Sequence, residues 1–127
     1  MDCRGNRVRP DVVCPVYHRA VETIGRRWTG VILFALLDGA TRFSDIRGAI
    51  PEISDRMLSE RLKEMEADGL VAREVIPEKP VRVEYRLTKK GYALRDVVAP
   101  FSAWAGEWEV RPGETMAEPA AVRSAPE

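Results

Sequence analysis

The stretch ISDRMLSERLKEMEADG, residues 53–69, decides how this chain folds. Ser54 can begin a helix because its hydroxyl can accept a hydrogen bond from an early backbone N–H. Gly69 can end that helix because glycine adopts the left-handed conformation at little cost. Between them, three apolar residues recur at helical spacing and predict one buried face, namely Leu58, Leu62 and Met65.

The opposite face of this predicted helix is polar, and its side chains suit base recognition. With Leu58 toward a core, about 100° per residue places Arg56, Glu60 and Lys63 roughly opposite. Met57 and Ser59 lie at the flanks. Arginine can bond guanine with two N–H groups, serine can donate or accept, and lysine can reach phosphate or guanine. Taken alone, this face is more simply an ordinary solvated surface, and only the order of elements around it favours DNA contact.

Arg61 falls beside the apolar stripe, about 60° from Leu58 on an ideal helix. A long charged side chain can lay its stem on a core while its head stays in water. We therefore expect a structural ion pair from Arg61, with phosphate contact as the alternative.

Three helical segments precede this stretch. The first begins near Pro15 and ends at Gly25, and the second runs from about Trp28 to Leu37. The second segment is apolar almost all round, which predicts that it lies in the middle of a core. A short extended piece, ATRF (residues 40–43), follows. Ser44 is then predicted to cap a third helix over Asp45 to about Ala49.

Two strand-like runs follow the stretch, LVAREVIP (residues 70–77) and VRVEYRLT (residues 81–88). Each alternates with period two, and the short loop Glu78-Lys79-Pro80 joins them, which predicts a β-hairpin. Thr88 is predicted to cap one last helix that runs to Trp108. Pro100 falls inside that helix and should bend it locally.

This order of elements predicts a mainly α fold with a small β-hairpin, a winged helix-turn-helix with a helix at each end. In such a unit the second helix of the motif enters the DNA major groove, and the hairpin forms a wing near the backbone. The predicted DNA-binding residues fall into four groups. They lie on the second helix of the motif (Ser54, Arg56, Met57, Ser59, Glu60 and Lys63), around the first helix of the motif (Arg42, Ser44 and Arg47), just before the second helix of the chain (Arg27) and on the wing (Lys79 and Arg82).

Composition excludes several classes of protein. The net charge is zero, but basic residues exceed acidic ones over residues 1–33 and 71–91, so a local basic face can form on a neutral protein. The chain has one histidine, two cysteines and no glycine-rich phosphate loop, so we predict no enzyme, no metal site and no cofactor. No apolar run reaches the ~20 residues of a membrane helix, and a reduced cytoplasm is the expected location.

The domain prediction divides the chain into three parts. Residues 1–11 form a flexible basic arm, residues 12–110 form the folded domain, and residues 111–127 form a disordered tail rich in Pro, Ala, Glu and Ser.

The quoted pieces also carry a resemblance. The chain resembles the HxlR family of winged helix-turn-helix transcription regulators in CPV at Cys14, in residues 24–75 (IGRRWTGVILFALLDGATRFSDIRGAIPEISDRMLSERLKEMEADGLVAREV), in VEYRLTKKG (residues 83–91) and in Trp104. The family usually has Gly-Lys where this chain has Arg26-Arg27. The resemblance implies a homodimeric, sequence-specific DNA-binding regulator. Repression is the expected outcome, and activation stays open.

The resemblance also implies that the first and last helices form the dimer contact. The apolar residues of these helices are the predicted interface: Tyr17, Val21, Leu94, Val97, Phe101, Trp104 and Trp108. An aromatic pocket for a small effector among Phe101, Trp104 and Trp108 is the alternative.

Cys14 is the predicted regulatory residue. It immediately precedes a helix, where the helix dipole favours a thiolate. Some members of the family that this chain resembles sense oxidants or electrophiles through a cysteine at this place. A small buried apolar residue is the simpler interpretation.

The predicted partners are double-stranded DNA, a second copy of the chain and possible oxidant or small-molecule effectors, with no membrane. The competing function is a winged-helix protein-interaction module without DNA binding. The position of charge separates the two, because a DNA reader needs its cations on one surface.

Overall fold

The computed structural model describes residues 12–115. The predicted arm, residues 1–11, and residues 116–127 of the predicted tail lie outside the described residues. The elements in chain order are α1 (Pro15–Ile24), α2 (Thr29–Leu37), α3 (Phe43–Ala49), α4 (Asp55–Ala67), β1 (Val71–Ile76), β2 (Arg82–Leu87), α5 (Lys89–Ala93) and α6 (Arg95–Trp108). The fold is mainly helical with a two-stranded antiparallel hairpin, as predicted.

The first two helices meet at a tight turn. Pro15 occupies the first turn of α1 and Gly25 is its C-cap, as the sequence predicts. Trp28 then precedes α2 with φ 79°, a left-handed conformation that is uncommon for a bulky residue. The prediction that α2 lies in the middle of the core is confirmed, since six of its nine residues are buried. Val31 is 49% exposed and Phe34 is 37% exposed, so part of the circumference of α2 faces out of this single chain.

Helices α3 and α4 form the helix-turn-helix. Ser54 Oγ accepts from Met57 N at 3.1 Å and caps α4, and Gly69 follows its end with φ 77°, both as predicted. The predicted cap at Ser44 is wrong. Helix α3 begins at Phe43 with Arg42 as its N-cap, because the extended piece before it ends one residue earlier than expected.

The hairpin pairs Val71 with Leu87 and Ile76 with Arg82 at its two ends. It is attached to the linker before α3 by an isolated bridge between Arg42 and Glu84. A further backbone bond runs from Tyr85 N to Thr41 O at 2.7 Å. The extended piece before α3 therefore fixes the wing against the helix-turn-helix.

The predicted single last helix is wrong, since the structure has two. Thr88 caps α5 by accepting from Gly91 N at 3.1 Å. The break comes at Leu94, where the backbone bonds Leu94 N to Gly91 O and Val97 N to Leu94 O tighten the chain into i→i−3 turns. Pro100 lies inside α6, so the interruption does not occur at the proline.

The core lies between α2, α3, α4 and the root of the hairpin. Its most deeply buried members, each at most 1% exposed, are Ile32, Leu33, Ile46, Ile53, Leu58, Leu62, Met65 and Leu70. The apolar stripe of α4 is therefore confirmed as the face that anchors this helix. By contrast, α1 and α6 bury no residue completely. No helix within residues 12–115 is long and apolar enough to cross a membrane.

Candidate nucleic-acid interface

The outer face of α4 projects into solvent from a helix whose other face is buried. The side chain of Arg56 is 90% exposed, and Ser59 and Lys63 are exposed beside it. Glu60 lies one turn after Arg56, with its Oε1 3.3 Å from Arg56 Nε. The carboxylate therefore biases where the guanidinium points before anything binds.

Two predicted residues of α4 have roles inside the protein. Met57 is partly buried and packs against the core, so only part of its side chain faces outward. The Ser54 hydroxyl is engaged as the helix cap. Both residues still lie at the exposed start of the helix, where the remaining lone pair of Ser54 can face a partner.

Arg47 is held inside the turn of the helix-turn-helix. Its Nε donates to Asp55 Oδ1 at 2.9 Å, and its Nη1 lies 3.4 Å from Ile50 O and 3.3 Å from Pro51 O. One guanidinium thus connects the end of α3, the turn and the start of α4. In the structure the Nε and Nη1 of Arg47 face acceptors of the protein itself, and a contact with DNA stays a prediction.

Of the two predicted cations of the wing, Lys79 is exposed and Arg82 is engaged in ion pairs. Lys79 is exposed at the hairpin loop. Arg82 is paired with Glu78, at 3.2 Å, and with the buried Glu84, at 2.8 Å. Its Nε is buried and its N–H has no well-directed acceptor, so the contact with Glu84 is an ion pair without a good hydrogen bond.

Glu84 is the buried acid that organises the wing, and the sequence analysis did not single it out. Only 7% of the residue is exposed. Arg86 Nη2 approaches it at 3.0 Å and Arg86 Nε reaches Glu74 at 2.9 Å on the neighbouring strand. The backbone of Glu84 forms the isolated bridge to Arg42, which brings the extended piece before α3 to this point of the wing.

The remaining predicted contacts lie around the motif. Arg42 and Ser44 are exposed at the start of α3. The guanidinium of Arg27 lies 5.0 Å from the ring centroid of Trp28, within the range of a cation–π contact. Arg73, an exposed cation of β1 that the sequence analysis left out, has no ion pair among the residues that the structure describes.

Polar contacts connect the back of α4 to the α1–α2 turn. Arg61 pairs with Glu64 at 3.1 Å, which confirms the predicted structural ion pair, and its Nε also donates to Arg27 O at 2.8 Å. Arg26 donates to Asp68 at 2.9 Å and lies 3.6 Å from Glu64. The orientation of α4 therefore depends on the turn between α1 and α2 as well as on the core.

The predicted interface residues lie on α1, on α6 and at Leu94 just before α6. Six of the seven are exposed and the largest values are those of Phe101 and Trp108, both 67%. Phe101 and Trp104 are also in ring contact, with centroids 5.9 Å apart. Leu94 differs, because it is partly buried and packs against the core of the same chain.

Cys14 is the N-cap residue of α1, partly buried, and its side chain makes no cap hydrogen bond. It is disulfide-bonded in this structure. Cys3, the other cysteine of the chain, lies outside the described residues.

Comparison with known proteins identifies the family to which this chain belongs. The family model described as HxlR-like helix-turn-helix matches residues 23–112. The uncharacterised HTH-type transcriptional regulator YvaP of Bacillus subtilis is 52% identical over 96 residues, covering 76% of this chain and 89% of that protein. The HTH-type transcriptional regulator YodB of Bacillus subtilis is 45% identical over 108 residues, covering 85% and 96%.

Solved structures are similar as well. The reduced form of YodB has a TM-score of 0.68 at 46% identity, over 81% of this chain and all of that one. YodB has also been solved in diamide-treated and quinone-bound forms. The redox regulator HypR in its oxidised form has a TM-score of 0.69 at 39% identity, over 74% and 96% of the two chains. The chain therefore belongs to the HxlR-like helix-turn-helix family of transcriptional regulators.

Proposed function

We propose that this regulator binds an inverted-repeat operator as a homodimer, in the cytoplasm, with α4 of each protomer in the major groove. The observation that carries the proposal is the outer face of α4. Arg56, Ser59 and Lys63 are exposed on a helix whose opposite face is almost completely buried. A rigidly anchored helix can present side chains to base edges in one fixed geometry.

Each cation of the interface has a distinct task in this proposal. Arg56 donates two N–H groups to guanine, and Glu60 orients it and disfavours bases that leave the carboxylate facing an acceptor. Lys63 and Lys79 contact phosphate oxygens, which position the protein without reading sequence. Arg47 and Arg82 stabilise the turn of the helix-turn-helix and the wing, respectively, rather than contact DNA in this proposal.

The second protomer of the dimer supplies the α4 helix that binds the second half-site. Exposed apolar side chains on α1 and α6, including Tyr17, Phe101 and Trp104, form a surface of the kind that marks an interface. A two-fold dimer of these units places two α4 helices about one helical turn of DNA apart, ~10 base pairs centre to centre.

The effector in this proposal is an oxidant or electrophile that acts at Cys14. YodB has been solved after diamide treatment and with quinone bound, and HypR is described as a redox regulator. Cys14 lies at the start of α1, and α1 connects to α4 through the turn that carries Arg26 and Arg27. A change between the Cys14 thiol and its disulfide can therefore alter how α4 is held.

In-vitro selection from random duplex DNA tests the proposal. The full chain should enrich an inverted repeat with half-sites about 10 base pairs apart, centre to centre. A Trp104→Glu variant, with its α6 surface charged, should retain weak single half-site binding at most. No enrichment by the wild type would contradict the proposal and would favour the protein-interaction module.

A further inference from the structure

A cavity of about 690 Å³ lies where α1, the end of α4 and α5 meet. Its apolar lining includes Val16 and Ala20 of α1, Leu70 after α4, and Leu94 after α5. Leu70 is almost fully buried, and Leu94 packs against the core, so the floor of the cavity is continuous with the interior. The volume lies within the ~300–1,000 Å³ of small-molecule sites.

The rim of this cavity carries three cations, Arg19, Arg26 and Lys90. Arg26 is paired with Asp68, and Lys90 Nζ donates to Asp68 O at 2.7 Å. Arg19 lines the cavity, is exposed, and makes no ion pair within residues 12–115. An unpaired guanidinium beside an apolar floor suits an anion with an apolar body.

Two acids on the same rim limit the charge of the ligand. Glu22 lines the cavity and is also paired with His18 at 2.7 Å, and Asp68 lines it opposite Arg26. The lining therefore has only one more cation than anions, and this net charge of +1 matches a single carboxylate better than a dianion such as a phosphate monoester. A single carboxylate is balanced by Arg19 alone.

We propose that this cavity is an effector site for small aromatic carboxylates. The ring lies on the floor formed by Val16, Leu70 and Leu94, and the carboxylate accepts two N–H groups from Arg19. Val16 and Ala20, which line the cavity, each come one position before Tyr17 and Val21, about 100° away around α1, so the cavity opens on a different side of this helix from the proposed interface residues.

The site deepens the proposed function, on which its regulatory meaning rests. A bound carboxylate stands beside Arg26 and competes with Asp68 for that guanidinium. Because Arg26 connects the α1–α2 turn to the back of α4, ligand and operator binding should be thermodynamically coupled. Occupation of the cavity then weakens operator binding, and operator DNA weakens ligand binding by the same factor.

Titration calorimetry with 2-naphthoate on the full chain, without DNA, tests the site itself. We expect one ligand per protomer and weaker binding of 2-naphthyl phosphate. Arg19→Gln should weaken naphthoate binding by about tenfold, as expected for loss of a charge-assisted bond. Ala20→Phe fills the cavity and should abolish binding. Arg111→Gln, an exposed arginine outside the lining, should bind as the wild type does.

Absence of naphthoate binding to the wild type would overturn the proposal, and so would wild-type affinity in either Arg19→Gln or Ala20→Phe. Because the titration contains no DNA, its outcome is independent of operator recognition. Arg19-dependent binding in a protein that selects no operator would leave the site intact and contradict the proposed function instead. A second titration in the presence of selected operator then measures the coupling.

Discussion

Arg47→Ala separates two roles that the sequence cannot distinguish, a clamp within the helix-turn-helix and a contact to the DNA backbone. The structure supports the clamp, because the guanidinium bonds Asp55 and faces two carbonyl oxygens of the turn, Ile50 O and Pro51 O. The variant should therefore destabilise the fold and leave the salt dependence of DNA binding unchanged.

The expected magnitude follows from distance and exposure. The side chain of Arg47 is 36% exposed and that of Asp55 is 78% exposed, so solvent screens their ion pair, and such a pair contributes ~0.2–1 kcal/mol. The two contacts to carbonyl oxygens are long, at 3.4 and 3.3 Å, and together add about 0.5–1 kcal/mol. Arg47→Ala should thus lower the free energy of unfolding by about 1–2 kcal/mol.

The assay is a double-mutant cycle on urea unfolding with Arg47→Ala, Asp55→Ala and the double variant. The two side chains should couple by about 0.2–1 kcal/mol. Arg42→Ala is the matched control, an exposed arginine at the start of α3 without an ion pair among the described residues. It should change the free energy of unfolding by less than about 0.5 kcal/mol.

Operator binding measured over a range of salt completes the comparison. A clamp leaves the slope of log affinity against log salt unchanged, whereas loss of a phosphate contact reduces it by about 0.9. Wild-type stability combined with a reduced slope in Arg47→Ala would refute the clamp and restore the backbone contact.

Three further substitutions test other parts of the structure. Gly91→Ala would place a Cβ against Leu70 O, so it should lower the free energy of unfolding in urea by about 1–3 kcal/mol. Gly48→Ala is the control, because its Cβ would meet nothing within 4 Å, and it should be neutral or stabilising. Equal effects of the two substitutions would refute the close approach at Gly91. Trp104→Glu should convert a dimer to a monomer in light scattering, and a monomeric wild type at micromolar concentration would contradict the interface. Cys14→Ser should remove the sensitivity of operator binding to diamide, and equal sensitivity in both proteins would exclude Cys14 from the switch.

Local signals in the sequence predicted the bounds and the buried face of α4 well. Ser54 and Gly69 act through their immediate neighbours, so the sequence carries the information for both ends of α4. The stripe of Leu58, Leu62 and Met65 predicted the buried face for the same reason. The start of α3 was mistaken because it depends on the bridge between Arg42 and Glu84, which are far apart in the chain.

The charged residues were harder to assign, because a cation looks the same in sequence whether it is free or paired. Arg47 and Arg82 were both predicted to contact DNA. In the structure Arg47 is held by Asp55 and two carbonyl oxygens of the turn, and Arg82 is held by Glu78 and Glu84. The contacts of Arg26 with Asp68 and of Arg61 with Arg27 O span 42 and 34 residues. Pairings over such separations follow from the tertiary fold rather than from spacing.

The base preference of Arg56→Ala at the operator tests whether the outer face of α4 reads bases. We expect a loss of about 1–3 kcal/mol and relaxed preference at one position of each half-site. Lys79→Ala, measured beside it, should weaken all sequences alike and reduce the salt slope by about 0.9. Unchanged affinity and unchanged base preference in Arg56→Ala would show that this face is a solvated surface and not the reader.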